Sequence, residues 1–164
     1  MEAPPQRPIL GFLGWFAVSF VTAAIGAAAS VRAEAFYTHL ALPPWAPPAF
    51  LFGPVWTVLY TLMAIAAGLV WLRGGFRARR TALTLFLLQL VCNAPWSWLF
   101  FVWHRGALAL ADIVVLWLVL GATLFSFWRT RALAGALLAP YFAWVSFAGV
   151  LNYACWQLNP QVLG

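Results

Sequence analysis

The chain has no lysine, only three acidic residues among 164, and charged side chains make up just 7% of it. A soluble domain carries about 25% charged residues, so a water-facing surface cannot be built from this composition. Cysteine is almost as scarce. Cys92 and Cys155 lie far apart in apolar runs with no C-x-x-C spacing, which excludes a disulfide framework or a cysteine metal site and reads as two buried free thiols. There is no glycine-rich phosphate loop, no nucleophile elbow and no H-E-x-x-H, so the common signatures of phosphoryl, acyl and zinc chemistry are absent. The length leaves room for one domain and none for an appended soluble enzyme domain.

What is present is apolar length. Hydrophobic residues make up 65% of the chain, gathered into five runs at about 9–29, 49–72, 81–103, 107–128 and 133–158. Each is close to the roughly 20 helical residues that cross a hydrocarbon core about 30 Å thick. Lipid offers the backbone no hydrogen-bond partner, so helices are the expected form, and the alternating ten-residue pattern of a membrane barrel is missing. The fold class is therefore all-α: an integral membrane bundle of five transmembrane helices embedded in a lipid bilayer, with the first run, too long for a signal peptide, retained as a span. Short connections force antiparallel neighbours. The exception is residues 30–48, where Pro43, Pro44, Pro47 and Pro48 prevent one regular helix and suggest a lid over the bundle mouth.

The net charge of +6 lies between the apolar runs, which suits membrane topology and not nucleic acid. One side collects Arg7, Arg73, Arg77, Arg79, Arg80, Arg129 and Arg131; the other has Arg32 and Arg105. The positive-inside rule then places the N-terminus inside and the C-terminus and the proline-rich loop outside. In the first run Ser19, Ala23 and Ala27 recur every fourth residue, as do Gly26 and Ser30. Small residues at that spacing permit close helix approach, here expected within the chain, with a homodimer as the alternative.

Aromatic side chains make up 18% of the sequence, including eleven tryptophans. Interfacial belts account for Trp71, Trp103 and Trp128. Deeper in the runs, Trp56 and Tyr60 share a face, as do Asn93 and Trp96, and as do Trp144, Ala148 and Asn152. An indole offers a flat apolar surface with one N–H donor, and three such faces suit a planar conjugated ligand as well as they suit helix packing. Asn93 is costly in hydrocarbon unless its amide is paired, with a neighbouring helix or with a ligand. Pro95 frees a carbonyl one turn earlier and bends its helix. Asp112 is the one acid within a span, about 8 Å from the turn at Gly106, and is either a functional acid or a partner for Arg32 or Arg105. His39 and His104, near span ends, are of a type that ligates haem iron; an interfacial role without metal is the simpler reading.

Several long motifs, taken in order, resemble those of the translocator-protein family, the peripheral-type benzodiazepine receptors, whose bacterial members are called tryptophan-rich sensory proteins. They are Phe36-Tyr37-x-x-Leu40-x-x-Pro43-Pro44-Trp45-x-Pro47-Pro48, Gly53-Pro54-Val55-Trp56-x-x-Leu59-Tyr60, Gln89-Leu90-x-x-Asn93-x-x-Trp96-x-x-x-Phe100-Phe101, Ala109-x-x-Asp112, Pro140-Tyr141-x-x-Trp144 and Leu151-Asn152-Tyr153-x-x-Trp156. The resemblance implies a five-helix bundle that binds porphyrins, cholesterol in animals, and synthetic benzodiazepine-type and isoquinoline ligands in a cavity under the first loop. By motif, the cavity residues are Tyr37, Pro47, Trp56, Tyr60, Asn93, Trp96, Trp144 and Ala148. It implies no required cofactor and no metal, with porphyrin or haem as ligand. The family's cholesterol motif has a basic residue where this chain has Gln157, four residues after Tyr153, which argues against sterol recognition there. The arginine-only, alanine-rich composition points to a bacterial cell-envelope membrane.

The leading expectation is a sensor or carrier that binds porphyrins, other tetrapyrroles and similar planar apolar molecules. One alternative, also implied by the resemblance, is a light- and oxygen-dependent porphyrin-degrading activity using Trp56 and Trp144. Another is a signalling scaffold that needs no ligand. Alternating-access transport usually shows paired repeats, which five helices do not supply. A reporter fused within loop 73–80 is expected to read as cytoplasmic; a reading from the opposite side overturns the assigned orientation.

Overall fold

The structure is a computed structural model in which residues 8–164 are described. Arg7, counted above for orientation, lies outside them. Five helices are long and apolar enough to cross a membrane: α1 (Pro8–Ala29), α3 (Phe52–Trp71, extended backwards by a 3-10 turn at Ala49–Leu51), α5 (Arg80–Ser97, continued by a π turn at Trp98–Val102), α6 (Gly106–Thr130) and α7 (Ala132–Leu158). Three short helices, α2 (Ala33–His39), α4 (Gly75–Ala78) and α8 (Pro160–Leu163), lie in the connections and at the end. Among the described residues there is no strand.

The helices form a closed ring. α1 packs on α3, α3 on α7, α7 on α6, α6 on α5, and α5 returns to α1. Leu13, Val21, Val58, Val91, Leu118 and Phe125 turn outward, where a membrane protein meets lipid tails. Near the α1 N-terminus the ring is shut tightly. A Cβ on Gly11 would collide with the Trp71 indole, and one on Gly68 with the Phe12 ring. Trp15 then packs between Trp71 and Phe86, at 6.3 and 5.7 Å between ring centroids. This end is sealed by aromatic rings set against glycine backbone.

The middle of the ring is polar, which is expensive in a membrane where groups go unpaired; a chain of hydrogen bonds pairs most of these groups and leaves Gln89 Nε2 without a partner. The Tyr60 hydroxyl on α3 donates to Asn93 Oδ1 on α5 at 2.6 Å. Asn93 Nδ2 donates to the Tyr141 hydroxyl on α7 at 2.6 Å, and Tyr141 donates onward to Gln89 Oε1 on α5 at 3.1 Å. Asn93 thus meets its cost through neighbouring helices. Two residues on, Pro95 removes a backbone donor, and α5 then widens into the π turn, where Trp103 N–H reaches back to Trp98 O at 2.9 Å. Proline and a π turn together are a recognised source of helix bending.

Replacing Asn93 by Leu keeps the volume similar but strands the Tyr60 hydroxyl and half of the Tyr141 hydroxyl. The expected cost is about 1–3 kcal/mol for each buried group left unpaired, read as a lower midpoint of thermal unfolding in detergent. An unchanged midpoint would mean that the network does not brace the ring.

Candidate functional site

Toward the α2 end the ring opens into a cavity of about 670 Å³, within the roughly 300–1,000 Å³ range of small-molecule sites. Its walls come from α1, α3, α5, α6 and α7, and α2 with the 3-10 turn closes over it. Trp56 and Tyr60 line one side, their rings tilted at 36° with 5.7 Å between centroids; Asn93, Trp96 and Phe101 line another; Val145 and Ala148 supply the α7 face. The wall is largely apolar, with polar atoms of the Tyr60–Asn93 pair at its floor. That is the composition of a site for an apolar guest fixed by a few directional contacts.

The small residues of α1 have a second use. Ser19 is fully buried, but Ala23, Gly26, Ala27 and Ser30 line the cavity. Gly26 still approaches α5 closely enough that a Cβ there would lie 3.6 Å from Ser97 Oγ. The stripe therefore permits close approach within the chain and also clears space.

Of the residues assigned by motif, Tyr37, Trp56, Tyr60, Asn93, Trp96 and Ala148 come together on this one cavity. Pro47 does not line it. Its carbonyl instead accepts a hydrogen bond from the Tyr37 hydroxyl at 3.1 Å, so its part is to hold the lid. Trp144 is also set apart. The inward face of α7 is formed by Tyr141, Val145, Ala148 and Asn152, and Trp144 stands one step around the helix. There it packs on Phe52 at 6.1 Å and on Phe147 at 5.5 Å. It lines a neighbouring crevice of only about 20 Å³. Trp96 is fixed from behind, its Nε1 donating to Asn152 Oδ1 at 3.1 Å while Asn152 Nδ2 donates to Gly106 O at 3.0 Å.

Asp112 is half-buried on α6 and does not line the cavity; its Oδ2 has no hydrogen-bond partner, so neither Arg32 nor Arg105 reaches that oxygen. His39 is exposed on α2. His104, at φ 53°, stacks on Phe36 with 4.3 Å between ring centroids. Neither histidine lines the cavity, and no group of three His, Cys, Asp or Glu able to hold a metal ion occurs among the described residues.

The lid is latched. Asn159, between α7 and α8, accepts from Ala41 N–H at 2.8 Å and donates to Ala41 O at 2.9 Å and to Cys155 O at 2.7 Å. Burial, with Cys155 close by, pushes the Tyr37 hydroxyl up to about 12, so it remains a protonated donor to Pro47 O at neutral pH. Sequence reasoning missed Asn159, Gln89 and Tyr141 as structural residues, and Phe52 and Phe101 as wall. The available signal for Asn159 is a polar residue just before Pro160, at the end of an apolar run. Replacing Asn159 by Ala removes both bonds to Ala41, so amide exchange across residues 38–46 is expected to speed up at least tenfold while exchange within the five long helices stays as before. Uniform exchange in the variant would contradict the latch.

Comparison with known proteins agrees with this architecture. The profile of the TspO/MBR family matches residues 14–157. The tryptophan-rich protein TspO of Chlorobaculum tepidum is 42% identical over 76% of this chain and 80% of its own. The translocator protein of Bos taurus is 36% identical over 96% of this chain and 93% of its own. The tryptophan-rich sensory protein of Cereibacter sphaeroides is 35% identical over 90% and 94%. With a family match over most of its length and relatives covered nearly end to end, this multi-pass membrane chain belongs to the TspO/MBR family.

Proposed function

We propose that the protein binds porphyrins and similar planar, largely apolar molecules in the cavity beneath the α2 loop, as a sensor or carrier in a bacterial cell-envelope membrane. The observation that carries this reading is the coincidence of one roomy cavity of about 670 Å³ with two indoles, Trp56 and Trp96, and a polar floor at Tyr60 and Asn93. Flat conjugated rings gain from offset contact with indole faces. The Tyr60–Asn93 floor offers the directional contacts that fix orientation.

His39 and His104 are outside the wall, so neither is placed to give an iron in the cavity an axial ligand. The same geometry favours binding over degradation of the ligand. The degradative reading draws on Trp56 and Trp144 together, and Trp144 lines not the main cavity but the small crevice that adjoins it across Phe52, Trp96 and Ala148. Carriage by alternating access lacks support, since the ring has no paired halves.

Titrating protoporphyrin into detergent-solubilised protein is expected to quench tryptophan fluorescence saturably. Ala148→Trp fills the cavity and abolishes the quenching. Trp56→Leu removes a wall indole and weakens binding at least tenfold, about 1.4 kcal/mol, while Trp144→Leu changes it less than threefold. Equal losses for the two tryptophan variants, or normal binding by Ala148→Trp, would contradict the reading.

A further inference from the structure

The cavity has two approaches, and they are built differently. Above it, the α2 loop is tied down by Tyr37 to Pro47 and by Asn159 to Ala41. At its side there is no comparable closure. α1 and α3 meet tightly at the far end, through Gly11 with Trp71 and Gly68 with Phe12. Toward α2, however, α1 leans onto α5: Trp98 Nε1 donates to Ile25 O at 3.2 Å, and Gly26 sits against Ser97. Phe20, Ala24 and Ala27 on α1, with Phe50, Gly53 and Thr57 on the α3 side, all line the cavity and are also exposed. A Cβ added to Gly53 would meet nothing within 4 Å. These residues form the edges of a slit that opens through the wall of the ring.

The slit starts at the lid end of α1 and α3, and its inner edge reaches into hydrocarbon. Phe20 lies nine residues before the end of α1, about 14 Å along the axis at 1.5 Å per residue. None of the six edge residues is charged. Among the cavity-lining residues only Glu34 is charged, and it belongs to α2 in the lid. A slit of uncharged side chains, small except for Phe20 and Phe50, admits a molecule already dissolved in the bilayer. The lid would require a ligand first to leave lipid for water.

The geometry points to a lateral doorway: apolar ligands partition into the bilayer and enter and leave the cavity between α1 and α3, beneath a loop that stays latched. The inference rests on the cavity being the binding site, and it adds that the ligand class is one carried in the membrane phase and that entry is gated by Ala24, Ala27 and Gly53.

The test uses the full chain in phosphatidylcholine vesicles, with protoporphyrin dimethyl ester, an uncharged membrane-soluble probe, read by stopped-flow quenching of tryptophan. For the wild-type chain the association rate is expected to follow the amount of ester per lipid and to be unaffected by diluting the vesicles at fixed ester-to-lipid ratio. Gly53→Phe and Ala24→Phe, on opposite edges, are each expected to slow association and dissociation together, at least tenfold. A side chain that merely took up binding space would speed dissociation, and that result overturns the doorway, as does wild-type exchange in both variants. Wild-type protein that binds the ester saturably while the slit variants exchange normally removes the doorway and leaves the binding reading standing. Wild-type protein that binds neither the ester nor free protoporphyrin removes both. Gly53→Phe, entering open space, keeps the test meaningful if Ala24→Phe fails to fold.

Discussion

Everything above the tight end of the ring depends on one buried hydrogen-bonded chain, from Tyr60 through Asn93 and Tyr141 to Gln89. Apolar helices in lipid have little to gain by meeting each other, since lipid tails are as apolar as leucine. Amide and hydroxyl groups are different, because unpaired in hydrocarbon they are costly. Setting four of them on α3, α5 and α7 fixes the register of those helices across the ring. It also fixes their separation, because a hydrogen bond has a length and apolar contact alone does not impose one.

That separation is what makes a cavity. Below the network the ring is filled by the buried side chains of Trp15, Phe86, Met63 and Leu83. Above it the small residues of α1 and the widened turn after Pro95 leave space that Trp56 and Trp96 wall but do not fill. Membrane helices tolerate proline and a π turn within a protein interior, and here the π turn is closed by Trp103 N–H on Trp98 O. The lid adds a second set of directional bonds at Tyr37, Pro47, Ala41 and Asn159, so the volume is bounded by hydrogen bonds above and below, by indoles on the α3 and α5 sides and by small residues on the α1 side.

Much of this was legible in the sequence, for a physical reason. A hydrocarbon core demands about 20 apolar residues per crossing, so five charge-poor runs could hardly be anything but five helices. The cavity was legible in part. Helical spacing pairs Trp56 with Tyr60 and Asn93 with Trp96, and spacing alone cannot say which way such a face points. The resemblance supplied the direction for six residues. It grouped Trp144 with them, yet only the packing of α7, with Tyr141, Val145 and Ala148 turned inward, shows that this indole stands beside the cavity wall. Asn159 was invisible for a different reason. Its partner, Ala41, is 118 residues away, and nothing local in an Asn-Pro pair announces a long-range latch. The small-residue stripe of α1 was read as a contact surface, which is true at Ser19 and incomplete at Ala23 and Ala27, where smallness makes room.

The account turns on a planar guest occupying the space that the polar network holds open. Determining the structure with protoporphyrin bound tests this most directly. The macrocycle is predicted to lie between Trp56 and Trp96, above the Tyr60–Asn93 pair and under a latched α2 loop. A macrocycle resting on the outer, lipid-facing surface with that interior space unfilled would contradict it.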